Sequence, residues 1–345
     1  MKNANKIIIP IAIIATVIVL IYGQSILIPF ILAIILWFLI RAVRNLYRKV
    51  PLFRDRLPLW LQNTVAAIMM FVLAGICIQL LTINIQVLSK SLPVYESNVR
   101  HIAENINAAF NIDIVSVLSD FSGEMDFTKL LSGLFSSLTN IFGNTFTILL
   151  YTLFLLLEES VFGRKLKAMY SDPSRYETIN NLIQKVDKSV SSYITLKTIV
   201  SFSTGLFSYL ALLFIGIDSP FFWAFFIFLL NYIPTIGSLI ATGFPTVFAL
   251  LQFGEFAPAI YVLLIVGAIQ VVVGNIIEPK VMGNTLNVSS LVVLLALSFW
   301  GAIWGITGMI LSVPVTVIIV IVCSEFPATR FIAVLLSEKG DLKGR

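Results

Sequence analysis

Asn231-Tyr232-Ile233-Pro234-Thr235-Ile236-Gly237 interrupts a long apolar stretch from Phe221 to Leu251, and Gly243-Phe244-Pro245 interrupts it again. A second apolar stretch runs from Leu291 to Val322 and carries Gly301, Gly305, Gly308 and Pro314. Because a plain membrane helix needs about 20 apolar residues, each stretch is long enough to enter the bilayer and turn back, or to cross it with an unwound middle. Paired hydrophobic segments broken by glycine and proline are typical of secondary-transporter binding sites.

The composition is that of an integral membrane protein. Of the 345 residues, 58% are hydrophobic and 12% are charged, and the mean hydropathy is +0.98, whereas soluble domains carry about 25% charged residues. We therefore predict an all-α polytopic integral membrane protein with about eight membrane segments, and with broken or re-entrant helices in the C-terminal half. The lipid bilayer is the expected partner and nucleic acid is not.

The distribution of basic residues predicts the orientation. The segment 41–56 holds six bases against one acid, and 158–197 holds seven bases against five acids. Between them, 89–140 holds three bases against six acids. The Lys/Arg bias places the first two segments inside and the third outside. Lys2 and Lys6 are also placed inside, so the N-terminus is expected in the cytoplasm. The C-terminus is expected there as well, although its excess of basic residues is smaller.

Hydropathy and turn residues divide the chain into five segments. Residues 1–88 are expected to form a hairpin of two spans turning at Gly23-Gln24-Ser25, a basic loop and a third span, and 89–157 an extracytoplasmic helical segment and a fourth span. Residues 158–198 carry an apolar stripe at helical spacing from Ile179 to Ile194, which predicts a cytoplasmic amphipathic helix. Residues 199–323 are the expected transport core, and 324–345 a cytoplasmic tail.

Motifs for catalysis and nucleotide binding are absent from the sequence. It contains no G-x-x-x-x-G-K-[ST] loop, no H-E-x-x-H and no G-x-S-x-G, and it has a single histidine. ATP-driven transport by this chain alone, an intramembrane hydrolase and a metalloprotease are therefore not expected. We expect no enzyme activity, no cofactor and no metal site.

Polar residues are few in the apolar second half, and they cluster at the breaks. The expected substrate contacts are Asn231, Thr235, Ser238, Thr242, Asn275, Glu278 and Thr307. The helix breaks expected to shape the site are Pro234, Gly237, Gly243 and Pro245, with Gly305, Gly308 and Pro314 forming the opposite wall. Backbone groups freed at such breaks bind polar or ionic solutes, although a Ser or Thr hydroxyl often bonds a carbonyl of its own helix instead.

Glu278 is the one carboxylate between Glu255 and Glu325, and it lies against a predicted membrane segment. An ionisable residue there indicates function, and we interpret Glu278 as the ion-coupling residue. The alternative is an interfacial carboxylate paired with Lys280.

The motifs resemble the autoinducer-2 exporter family of bacterial membrane proteins. The resemblance rests on the 231–237 motif with Gly243-Phe244-Pro245, on Asn275-Ile276-Ile277-Glu278-Pro279-Lys280-Val281-Met282-Gly283, and on the glycine-rich run from Gly301 to Pro314. It implies a secondary transporter of the bacterial inner membrane, with re-entrant hairpins and homo-oligomeric, pentameric assembly. Many members have Gly-Gln where this chain has Leu196-Lys197, and many have His-Pro where it has Ser289-Ser290.

Three functions follow as hypotheses. The leading one is export of a small polar organic solute, such as an autoinducer-2-like quorum-sensing signal, driven by a proton or sodium gradient. The second is a Na⁺(Li⁺)/H⁺ antiporter, for which several buried carboxylates would be expected where the sequence offers Glu278. The third, of another class, is a scaffold that organises a membrane complex without transporting anything.

Overall fold

The structure is a computed structural model that describes residues 15–47, 58–110, 145–282 and 287–340. Within these ranges the regular elements are helices, and no strand occurs. Seven helices are long and apolar enough to cross a membrane, judged by length and composition. This confirms the prediction of an all-α polytopic membrane protein.

Eleven helices lie within the described residues. They are α1 (residues 15–22), α2 (Gln24–Tyr47), α3 (Leu59–Phe110), α4 (Thr145–Met169), α5 (Pro173–Ile215), α6 (Pro220–Leu230), α7 (Ile236–Phe253), α8 (Phe256–Val272), α9 (Glu278–Met282), α10 (Ser290–Glu325) and α11 (Arg330–Leu336). A π-helical turn, Val273–Ile277, joins α8 to α9.

Two helices are much longer than a bilayer crossing requires. Helix α3 has 52 residues and α5 has 43, whereas about 20 residues cross the hydrocarbon core. Helix α3 therefore comprises the third predicted span and the first part of the predicted outer segment. Residues 111–144 lie outside the described residues. Helix α5 joins the predicted amphipathic helix and the next span without a break, so the boundary predicted at residue 198 falls inside a helix.

The chain forms two compact units. Unit 1 comprises Met1–Ala66, Asn144–Thr195 and Gly283–Arg345, and unit 2 comprises Ala67–Gly143 and Leu196–Met282. Each unit combines parts of several of the five segments predicted along the chain. The division therefore follows packing between distant segments and not the linear order of the sequence.

Unit 1 has a tryptophan-rich core beside its first helices. Trp300, Trp304 and Leu311 are buried together, and apolar side chains from both α1 and α2 pack against them, including Leu20 and Leu27. The indole Nε1 of Trp304 donates a 2.9 Å hydrogen bond to the carbonyl of Leu20, at the end of α1. The helix is interrupted at Gly23 alone, since α2 begins at Gln24, so the interruption is shorter than the three-residue turn predicted there.

Charged side chains also connect the helices of unit 1. Arg41 of α2 donates to both carboxylate oxygens of Asp187 at 2.5 and 3.1 Å. Arg44, which is buried, donates to Glu159 of α4 at 3.0 Å and also to Asn63 of α3. These basic residues therefore bind acidic and amide groups on neighbouring helices, which offsets the cost of removing the buried guanidinium from water.

In unit 2, the C-terminal part of α3 binds the loop before α6 and the last turn of α7. The Tyr95 hydroxyl donates to Asp218 at 2.7 Å, and the Asn98 amide donates to the carbonyls of Leu251 and Gln252 at 3.0 and 2.7 Å. Burial raises the pKa of Tyr95 above its ordinary value, and its hydrogen bond to Asp218 adds to the shift. Both ends of the segment that contains the first break are thus held by one helix.

Candidate functional site

The first broken stretch is a helical hairpin. Helices α6 and α7 pack side by side, with ring centroids 4.8 Å apart for Trp223 and Phe248 and 5.7 Å apart for Phe226 and Phe244. The pairing runs in opposite directions along the two helices, so the chain reverses between them. That the hairpin enters the bilayer and returns to the same side stays a prediction.

The hairpin turn is the Asn231–Gly237 motif. Helix α6 ends at Leu230, and Thr235 has a φ of 59°, a conformation that non-glycine residues rarely adopt. A Cβ at Gly237 would clash with the carbonyl oxygen of Leu230, so glycine is required where the second helix passes the end of the first. Pro234 cannot donate a helical hydrogen bond, which favours the end of α6 just before it.

A stripe of buried polar residues on α5 faces the helices of unit 2. Lys197, Ser201, Thr204 and Ser208 are all buried and fall at i, i+4, i+7 and i+11, which is one face of a helix. Gly205 lies on the same helix, and its Cα approaches α6 so closely that a Cβ would be 3.1 Å from the Ala224 carbonyl oxygen.

Hydrogen bonds fix the turn to this stripe. The Asn231 side-chain amide donates to Ser201 at 3.1 Å and lies 3.5 Å from the Thr204 hydroxyl. The Tyr232 hydroxyl donates to Thr198 at 2.7 Å. Asn231, predicted as a substrate contact, is therefore buried and engaged in holding the turn against α5.

Next to this contact lies a partly buried ion pair. The Lys197 ammonium donates to the Glu278 carboxylate, and the side chains are 3% and 23% exposed. In the structure the partner of Glu278 is Lys197, whereas Lys280, the partner that the alternative gives it, is exposed. Lys197, one of the seven basic residues of the inner segment, is thus buried within the protein.

The π-helical turn determines which way Glu278 points. The buried residues of α8 follow helical spacing through Val262, Val266, Gln270 and Val273, and an α-helix would next bury Ile277. Instead Ile277 is 37% exposed. The Glu278 N–H donates to the Val273 carbonyl five residues earlier, and the additional residue in this turn brings Glu278 to the buried face.

The other predicted polar contacts of unit 2 differ in their surroundings. The Ser238 hydroxyl donates to the Thr235 carbonyl at 2.8 Å and the Thr242 hydroxyl to the Ser238 carbonyl at 3.0 Å. These two hydroxyls thus bond backbone of their own helix or its cap, as Ser and Thr in membrane helices commonly do. Thr235 and Asn275 are exposed. Gly243 has open space around it, and Pro245 is buried inside α7.

The second broken stretch also folds back on itself. Gly305 interrupts α10 with φ 59° and ψ −141°, and a Cβ at Gly308 would clash with the Trp300 carbonyl oxygen. In an uninterrupted helix, residues 300 and 308 would lie about 12 Å apart. Thr307 is half-buried beside this turn, and Pro314 is buried in the returning arm. That the two breaks form opposite walls of one site stays a prediction.

Sequence analysis missed some residues of this arrangement. Lys197, Ser201 and Thr204 were absent from the expected site, although the polar spacing in an apolar helix is visible in the sequence. Gln270 was also absent, and its side-chain nitrogen is buried without a hydrogen-bond partner in the part of the chain that the structure describes.

Comparison with known proteins identifies the family. Residues 7–328 match the model of the AI-2E family transporters, which covers nearly the whole chain. The chain belongs to the AI-2E family. This confirms the resemblance seen in the sequence, and it identifies the protein as a transporter and not an enzyme.

Individual members of the AI-2E family agree over similar lengths. The AI-2 transport protein TqsA of Escherichia coli K12 is 32% identical over 321 residues, which is 92% of this chain and 91% of TqsA. A Haemophilus influenzae protein is 29% identical over 342 residues, covering 96% of each chain. A Borreliella burgdorferi protein is 30% identical over 254 residues, or 73% and 70% of the two chains. With the apolar helices, these relatives place this AI-2E member in a bacterial membrane as a multi-pass protein.

Proposed function

We propose that this AI-2E member is a secondary transporter that exports a small polar organic solute of the autoinducer-2 type, driven by an ion gradient. The observation that carries the proposal is the Lys197–Glu278 ion pair beside the Asn231–Gly237 turn. Ionisable residues in membrane segments are costly and are typical of coupling sites. Within the described chain, this pair joins two candidate membrane helices.

The pair provides a means of coupling. While Glu278 is ionised, it holds the Lys197 ammonium by charge and hydrogen bond. The ionised carboxylate can also accept a hydrogen bond from a hydroxyl group of a solute. Protonation of Glu278 removes the negative charge and releases the solute. Proton binding and solute binding thereby exclude each other, which is the requirement for exchanging an entering proton for a leaving solute.

The turn provides groups suited to a polar solute. Thr235 and Asn275 are exposed, and both lie at interruptions of regular α-helix, where backbone groups lose their helical partners. Pro279 has no N–H, so a carbonyl one turn before it lacks its usual donor. TqsA is named for AI-2 transport, and an AI-2-like solute is therefore the first cargo to test.

We further propose that both broken segments are re-entrant. Helix α6 has 11 residues, or about 16 Å, which is too short for a hydrocarbon core of about 30 Å. Two re-entrant segments leave the number of crossings even, which agrees with both termini in the cytoplasm. A homo-oligomer, pentameric as the family resemblance implies, is proposed for the assembly.

Flux measurements on purified protein test the proposal against its rivals. Proteoliposomes are loaded with AI-2, and release is followed with and without an imposed proton gradient. Gradient-dependent release above protein-free liposomes supports the exporter. Proton movement on addition of Na⁺ or Li⁺, without AI-2 release, indicates the antiporter instead.

A variant of the turn separates transport from a scaffold. Replacing Pro234 and Gly237 with Ala relaxes the turn and introduces a Cβ against the Leu230 carbonyl, so an exporter should lose flux. Unchanged cellular function in that variant, together with no flux in the wild type, supports the scaffold and contradicts the proposal.

A further inference from the structure

We propose that the Lys197 ammonium is a tethered cation, which takes the place beside Glu278 that a free sodium ion would otherwise occupy. The transporter would then need no sodium gradient. This inference rests on the proposed coupling role of Glu278, and it assigns the positive charge of that site to the chain itself.

The Lys197 ammonium occupies the position of the positive partner that Glu278 requires. A carboxylate at membrane depth needs a proton, a metal cation or a side-chain cation, because an unpaired buried charge is very costly. The Lys197 ammonium donates directly to Glu278, and its side chain is only 3% exposed. The positive partner of Glu278 is therefore already held in place by α5.

The charges of Lys197 and Glu278 balance each other. Among the described side chains of unit 2, the other carboxylates are Glu104, Asp218 and Glu255, of which Asp218 binds Tyr95. The side chains that bond the Asn231–Gly237 turn to α5 near Lys197 are neutral, among them Tyr232, Thr198 and Ser201. Lys280 is exposed two residues beyond Glu278. With one ammonium and one carboxylate the pair is neutral, and a sodium ion added to it would leave an uncompensated buried positive charge.

Removal of the ammonium would leave the Glu278 carboxylate near hydroxyl groups of α5. Ser201 lies on the same face of α5 as Lys197, and Thr198 follows Lys197 directly in the sequence. The hydroxyl oxygens of both residues take part in the hydrogen bonds that hold the turn. Oxygen atoms together with a carboxylate are the ligands that hard cations prefer. Neutralising Lys197 should therefore create a place for sodium that the wild type lacks.

Sodium binding to the purified full-length protein tests this without any knowledge of the cargo. Radioactive sodium binding is measured for the wild type and for K197R, K197Q, E278Q and the K197Q/E278Q double variant. We expect saturable binding in K197Q alone. The wild type and K197R keep the tethered charge, whereas E278Q and the double variant lack the carboxylate. Saturable binding in the wild type, or no gain of binding in folded K197Q, overturns the inference.

A second measurement remains decisive if K197Q does not fold. AI-2 flux through the wild type is compared in sodium-free medium and under an imposed sodium gradient, with the proton gradient held constant. The inference predicts equal rates, and a rate that increases with the sodium gradient overturns it. Absence of all AI-2 flux contradicts the proposed function instead, while sodium binding to the wild type still decides the present inference.

Discussion

The Asn231 side chain donates a 3.1 Å hydrogen bond to Ser201, thirty residues earlier in the chain, and so fixes the hairpin turn to α5. Asn231→Ala should lower the free energy of unfolding by about 1–3 kcal/mol, because it leaves a buried hydroxyl without its donor. Thermal unfolding of the purified protein in detergent measures the change. Asn275→Ala is the matched control at an exposed position and should shift stability by no more than about 0.5 kcal/mol. Equal shifts in the two variants would contradict this role for Asn231.

The two glycines at the turns should respond differently from a glycine inside α7. Gly237→Ala and Gly308→Ala place a Cβ against a backbone carbonyl, of Leu230 and Trp300 respectively, and should reduce both folded yield and flux. Gly243→Ala meets open space, and it should stabilise α7 by up to about 1 kcal/mol through helix propensity. Size-exclusion profiles and melting temperatures compare the three. Destabilisation of Gly243→Ala to the same degree would show that the effect is not specific to the turns.

The Gln270 side chain should contribute little to the free energy of folding, which favours a functional role for it. Its side-chain nitrogen is buried without a partner among the described residues, so Gln270→Met removes a buried polar group at little or no cost in folding free energy. The melting temperature should stay equal or increase. Gln252→Met is the control, because Gln252 accepts from the Asp218 N–H and donates to the Gly216 carbonyl at 2.7 and 2.8 Å, and it should decrease stability. A lower melting temperature for Gln270→Met than for Gln252→Met would refute this view.

The Tyr95–Asp218 hydrogen bond should make the free energy of unfolding vary with pH in the alkaline range. Burial raises the pKa of the Tyr95 phenol in the folded protein above its ordinary value of 10.0. The unfolded chain therefore releases this proton first, and the contribution of Tyr95 is complete below pH 10 and declines as the pH increases further. The stability difference between wild type and Tyr95→Phe should accordingly shrink above pH 10, as measured by denaturant unfolding. A difference that grows in that range would have the wrong sign.

The ion pair should be visible as coupling in a double-mutant cycle. Glu278→Gln leaves the Lys197 ammonium buried without its carboxylate, a change that typically costs about 3–5 kcal/mol. Replacing both residues with Gln removes the charge, so the double variant should be more stable than Glu278→Gln alone. Thermal or denaturant unfolding gives the three differences. Simple additivity of the two single changes would show that the residues do not interact.

The extent to which sequence predicts this molecule varies from element to element. Composition predicts the membrane class, and the proline and glycine of the 231–237 motif predict where the chain breaks, because these residues act locally. Glu278 was found because a lone carboxylate in an apolar region is conspicuous. Its partner was not found, because Lys197 is 81 positions away and adjoins a basic segment.

Other features depend on geometry that a residue pattern does not encode. The π-helical turn moves the buried face from Ile277 to Glu278, and no spacing rule for an α-helix anticipates the additional residue. Asn231 has the chemistry of a solute contact, but packing against Ser201 uses its amide for the fold. The division into two units combines segments that are far apart in the chain, so a linear division could not predict it.

The central claim is that Glu278 couples transport to the proton gradient. The most direct test is the AI-2 efflux rate from proteoliposomes as a function of the imposed pH difference, compared for wild type, Glu278→Gln and Glu255→Gln. Glu255 is exposed at the start of α8, so its replacement makes the same chemical change away from the pair. We predict that the wild type and Glu255→Gln respond equally to the gradient, and that folded Glu278→Gln does not respond. A gradient response in Glu278→Gln equal to that of Glu255→Gln would contradict the account.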